Sequence, residues 1–132
     1  MELFKTYLLV MLGGTLGVAA RMWVSSALSA VFGLAFPVGT LVVNVMGCFI
    51  IGLFTGLTGT GGAWHLSLRM QQAVTVGILG GYTTFSSFSL QTINLMSDRH
   101  YWYASINVLL SVVLCLVSCW IGLKMAAAIN SR

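Results

Sequence analysis

Gly77-Ile-Leu-Gly-Gly-Tyr-Thr-Thr-Phe-Ser-Ser-Phe-Ser89 lies inside an apolar segment long enough to cross a bilayer. Three glycines open it. Six hydroxyl side chains follow (Tyr82, Thr83, Thr84, Ser86, Ser87 and Ser89), spaced by Phe85 and Phe88. Gly80-Gly81 is a poor helix interior, and Thr83-Thr84 adds two β-branched residues beside it. The stretch reads as a break in a membrane helix. Non-helical backbone survives at membrane depth only where protein or a polar cavity satisfies it, so the break should line a site for something polar, an ion above all. The competing reading is a kinked helix whose hydroxyls bond back to their own carbonyls.

The rest of the chain supplies the membrane context. Of its 132 residues, 58% are hydrophobic and 6% charged, and the mean hydropathy is +0.98. A soluble domain of this size cannot hide that much apolar surface. No formal charge stands between Arg21 and Arg69, or between Arg69 and Asp98. With about 20 residues needed per crossing, the sequence predicts one all-α transmembrane domain, residues 1–132. Its four helices fall near residues 4–28, 38–58, 69–96 and 102–127, the third broken in mid-membrane. The net charge is +4, but the basic residues are scattered singly at helix ends, which argues against nucleic acid as a partner. No cleaved signal peptide is expected. Cys48, Cys115 and Cys119 fall inside predicted spans and read as small packing residues.

Several positions carry two readings each. In the first span Gly13 and Gly17 share a face and permit close helix contact. Arg21, in its last third, is either a snorkelling arginine or a fixed positive charge at the mouth of an anion path. Residues 29–37 read as a loop, with Pro37 suited to opening the second helix. Asn44 sits about two turns into that helix, as helix-to-helix glue or as a pore-lining donor. Cys48, Gly52 and Gly56 follow at four-residue spacing as a small-residue face. In the last span Asn107, Ser111, Cys115, Ser118 and Gly122 form a stripe, either close packing or a polar track.

Enzyme chemistry is hard to build from this inventory. There are two acidic residues, Glu2 at the terminus and Asp98 in a turn, so paired-carboxylate catalysis is not expected. No phosphate-binding glycine loop with its lysine is present, and His65 alone in a loop is a poor metal ligand. A proton-coupled carrier would need an intramembrane carboxylate or histidine. Passive conduction or a purely structural role remains. Four helices barely enclose a pore, so the polar faces require burial against another copy or a partner.

Three stretches together carry a family resemblance. Gly13-Gly-Thr-Leu-Gly-Val-Ala-Ala-Arg21, Gly39-Thr-Leu-Val-Val-Asn-Val-Met-Gly47 and Gly80-Gly-Tyr-Thr-Thr-Phe-Ser-Ser-Phe-Ser89 resemble the signature stretches of the CrcB/Fluc fluoride channels in order, spacing and total length. The resemblance implies an antiparallel dimer of four-helix subunits with two fluoride pathways, in the inner (plasma) membrane of a prokaryote. It implies that Phe85 and Phe88 are pore phenylalanines, that Asn44 is the pore asparagine and that Arg21 is the vestibule arginine. It further implies a structural sodium ion at the dimer centre, held by the main-chain carbonyls of Gly80 and Thr83. Asn107 and Ser111 would belong to a fourth-helix polar track.

Physical chemistry is compatible with those roles. A ring edge is the positive end of the aromatic quadrupole. The edges of Phe85 and Phe88, with donors from Asn44 and the Thr84 and Ser86 hydroxyls, can replace part of a small anion's water shell. Carbonyls at a helix break suit a hard cation. The chain departs from the pattern at Gln91, where relatives often carry Glu, at Ser87, where Thr is frequent, and at Asn107, where some have Tyr. The expected function is passive export of cytoplasmic fluoride. The alternatives are a non-conducting structural or regulatory subunit, or one half of an obligate heterodimer with an oppositely oriented paralogue. Lys5, Arg69, Lys124 and Arg132 fall on the face of the termini, against Arg99 and Arg21, a lean too slight to fix one orientation.

Overall fold

The computed structural model describes residues 2–131 and is helical almost throughout. Arg132, counted in the charge lean above, lies outside the described residues. The helices are α1 (Glu2–Phe32), α2 (Val38–Thr58), a bent third helix in two parts, and α5 (Tyr101–Asn130). The first part, α3, begins at Leu68–Gln72, widens into a π-helical stretch at Ala73–Leu79 and closes with Gly80–Tyr82. The second part, α4, is Phe85–Ser97. Helices α1, α2 and α5 are each long and apolar enough to cross a membrane. Large apolar side chains cover the outside, among them Trp23, Val31, Trp102 and Leu116, as expected where lipid is the solvent.

With the bent third helix taken as one, successive helices run in opposite directions, and contacts at each end fix this. Arg69 pairs with Glu2 at 2.7 Å, so the start of α3 meets the N-terminus. At the same end Asn130 holds the glycine-rich loop: its Nδ2 donates to Gly56 O at 3.0 Å, and its Oδ1 accepts from Ala63 N at 2.9 Å. At the opposite end Phe36 meets Tyr103 edge-on at 6.2 Å.

The end of the first helix differs from the sequence expectation. The first helix continues past Ser29 to Phe32 and stops at Gly33, whose φ of +77° only glycine adopts without cost. The Gly33 N–H bonds back to Ser29 O at 2.9 Å. The break in the third helix falls at Thr83–Thr84, inside the stretch that the sequence marks: Thr83 (φ −81°, ψ 157°) and Thr84 (φ −152°, ψ 111°) are extended, whereas Gly80–Tyr82 stay helical.

Gly81 and Gly77 serve close packing. A Cβ at Gly81 would stand 2.6 Å from Gly14 O, and one at Gly77 would stand 2.7 Å from Val10 O. From the other side, a Cβ at Gly17 would land on Ile78 O, and one at Gly13 would lie 2.6 Å from Ala73 O. So α1 and α3 touch backbone to backbone, as the Gly13/Gly17 spacing predicts. The pair α2 and α5 meets the same way: a Cβ at Gly52 would strike Cys119 O, and one at Gly122 would strike Phe49 O.

Candidate functional site

The break is built by one asparagine and one threonine. Thr84 caps α4, its Oγ1 accepting from Ser87 N at 3.2 Å, a standard N-cap contact. Across from it, Asn44 on α2 grips the extended backbone. Asn44 Nδ2 donates to Thr84 O at 3.0 Å, and Asn44 Oδ1 accepts from Thr84 N at 2.7 Å. Both contacts are buried, where an unpaired amide would cost about 1–3 kcal/mol. The asparagine is thus helix-to-helix glue. Its Nδ2 still carries a second hydrogen, and Asn44 also lines the cavity described next.

These two side chains capture particular donors. In an unbroken helix Thr84 N would bond Gly80 O, and Ser87 N would bond Thr83 O. Asn44 takes the first donor and the Thr84 hydroxyl takes the second. The carbonyls of Gly80 and Thr83 therefore lose their usual helical partners. Both residues line a cavity of about 430 Å³, together with Asn44, Phe85, Phe88 and Ser111.

The two phenylalanines stand at 5.3 Å between centroids, tilted by 52°. Phe88 is buried, whereas Phe85 is 78% exposed. Other sequence-predicted residues gather less tightly. The exposed Ser86 reaches the Thr84 hydroxyl at 3.2 Å but is not part of the cavity wall. Asn107 is almost fully buried and donates to Thr92 Oγ1 at 2.9 Å, which itself donates to Phe88 O at 2.7 Å. That chain braces the backbone beneath Phe88, and Asn107 stays off the cavity wall. Arg21 is half-buried on α1 and lines neither this cavity nor the next.

A second, more polar cavity of about 230 Å³ lies one turn beyond Phe88, bordered by Gln91, Asn94, Asp98, Ser25 and Ser29. Among the described residues, Gln91 Oε1 is a buried side-chain acceptor with no partner. The sequence places Gln91 one turn below Phe88, on the phenylalanine face, but does not show the cavity that it borders.

Comparison with known proteins bears on what such a site does. The family profile "CrcB-like protein, Camphor Resistance (CrcB)" matches residues 8–123. The chain is 46% identical over 125 residues to a fluoride-specific ion channel of Rhodospirillum rubrum, covering 95% of this chain and 97% of that one. It is 47% identical to one from Methylocella silvestris, over 94% of this chain and 95% of the relative. It is 48% identical to one from Opitutus terrae, over 95% of each. A multi-pass, all-helical membrane protein matched over nearly its whole length in this way is a transporter rather than an enzyme, and it belongs to the CrcB family.

Proposed function

We propose that the protein is a fluoride-selective ion channel that releases cytoplasmic fluoride passively down its gradient, working as a dimer of oppositely oriented copies. The observation that carries this reading is the polar break at membrane depth with Phe85 and Phe88 at its edge. The relatives named above, fluoride-specific channels along nearly their whole length, support it.

The chemistry follows from the geometry. A small, strongly hydrated anion needs donors that replace water without holding it fast. The phenylalanine edges offer weak positive potential. The second Asn44 amide hydrogen and the Ser111 hydroxyl, both from residues of the cavity wall, offer hydrogen bonds. Beyond Phe88 the path opens towards the polar cavity at Gln91. Arg21, on the same helix as Ser25 and one turn from it, adds positive charge towards that mouth. Asn107 acts from behind, by holding the backbone that carries Phe88.

The dimer is inferred from what one copy leaves bare. Gly80 and Thr83, whose carbonyls have lost their helical partners, line the cavity together with an exposed Phe85. Polar backbone facing lipid is costly, so a second copy in the reverse sense covers it, and two such copies form two pathways. At their centre the Gly80 and Thr83 carbonyls of each subunit offer hard oxygen donors, which fit a sodium ion. Such an ion would neutralise carbonyl dipoles that otherwise face one another. The one-domain, four-crossing organisation over residues 1–132 belongs to the same reading.

The deciding experiment is efflux from liposomes holding purified protein. Fluoride should leave rapidly while chloride stays; equal rates for the two anions would overturn the reading. In sodium-free medium the dimer should dissociate or lose conduction. Unchanged assembly and flux without sodium would remove the central ion.

A further inference from the structure

We propose that Asp98 limits the rate at which fluoride enters the path, its carboxylate acting as a fixed negative charge in the wall of the smaller cavity. That role rests on the fluoride-channel reading, in which this cavity is the mouth beyond Phe88. Among the residues that border the cavity, Asp98 alone carries a formal charge. The rest of its polar border is amide and hydroxyl, from Gln91, Asn94, Ser25, Ser29 and Thr40. Among the described residues the ion pairs are Lys5–Glu2 and Arg69–Glu2, so none cancels Asp98. Arg99 and His100 follow on the same turn but are not part of the cavity wall, and neither is Arg21 on α1.

The fold holds Asp98 at that place through its backbone. Asp98 N bonds Asn94 O at 2.9 Å, Arg99 N bonds Met96 O at 3.0 Å and His100 N bonds Leu95 O at 2.8 Å. This closure puts Arg99 in the left-handed region, at φ +61°, where glycine is the usual residue. Asp98 thus ends α4 at the negative pole of the helix dipole, where a carboxylate is unfavourable. Local stability does not account for the acid. Towards an entering anion, the carboxylate and the carbonyl end of α4 present the same sign. A rounded cavity of about 230 Å³ is roughly 8 Å across, and at that range in water one unit charge changes an anion's local concentration about two- to threefold. Salt screens the effect, since the Debye length falls from about 30 Å at 0.01 M to about 3 Å at 1 M.

The test is the initial rate of fluoride efflux from liposomes, per reconstituted protein and at fluoride well below saturation, in dilute and in concentrated sodium gluconate. In about 0.01 M salt Asp98→Asn should raise the rate about two- to threefold, and in about 1 M salt the ratio should fall towards one. Asp98→Lys changes the charge by two units, so in dilute salt its gain should be about the square of that ratio, about four- to ninefold. The melting temperature of Asp98→Asn should hold or rise, because the carboxylate opposes the helix dipole. Equal rates for wild type and both variants in dilute salt overturn the proposal and leave a fluoride channel in place. A gain in Asp98→Asn that persists undiminished in concentrated salt, or that comes with a lower melting temperature, makes the residue structural and also overturns it. Wild-type protein that releases no fluoride overturns the channel reading, and this role with it.

Discussion

Asn44 and Phe85 should separate in experiment because they act on different parts of the same site. Asn44→Ala leaves the Thr84 N–H and C=O without partners in a buried place, at about 1–3 kcal/mol for each group. The melting temperature of the purified protein and its fluoride flux should fall together. Phe85, 78% exposed on the protomer, contributes little to the fold of one copy. Phe85→Ile should keep melting temperature and elution position while flux collapses, since an aliphatic group has no positive edge. Native flux in Phe85→Ile would reduce the ring to packing. A melting temperature unmoved in Asn44→Ala would mean that the Thr84 backbone finds other partners.

Among elements, the contact of α1 with α3 is the least forgiving. A methyl at Gly17 would land on Ile78 O and come within 2.9 Å of Tyr82 N, both backbone atoms that cannot rotate aside. Gly17→Ala should therefore push the helices apart and lower stability by about 1–3 kcal/mol or more. Gly14→Ala is the control, since its Cβ would meet nothing nearer than Gly77 O at 3.9 Å. Equal melting temperatures for the two variants would sink this account. The same contact explains what the sequence made legible. Gly13 and Gly17 announced a close helix face by spacing alone, and Gly80-Gly81 beside Thr83-Thr84 announced a break. Within that stretch the break falls at the threonines, because packing of Gly81 against Gly14 on α1 holds this end of the glycine pair in helix against its intrinsic preference. It falls where the Thr84 hydroxyl and Asn44 can replace lost bonds, and the Asn44 contact spans 40 positions, beyond any local pattern. The π-helical stretch Ala73–Leu79 has no signature of its own, since its Gly77 reads equally well as a close-packing residue. Asn107 looked like part of a track because spacing shows a face but not which neighbour fills it.

At the scale of the molecule, orientation is the open variable. The Glu2–Arg69 pair and the Asn130 contacts put both termini and the α2–α3 loop at one end. Lys5, Arg69 and Lys124 therefore weigh against Arg99 and Arg21, a small excess for a rule that counts Lys and Arg. A chain inserted both ways should show a C-terminal reporter on both sides of the membrane when its gene is expressed alone, and that lone product should transport fluoride. A reporter seen on one side only, with transport restored by an oppositely oriented paralogue, would make the protein half of a heterodimer. The ownership of Asn44 has a consequence for biosynthesis. It belongs to α2, not to the helix whose break it holds. The ribosome delivers α2 first, so the hydroxyl-rich segment emerges with its partner already in the bilayer. A nascent chain stopped after Ser97 carries both halves of that contact, and the polar centre can set before the last crossing is made.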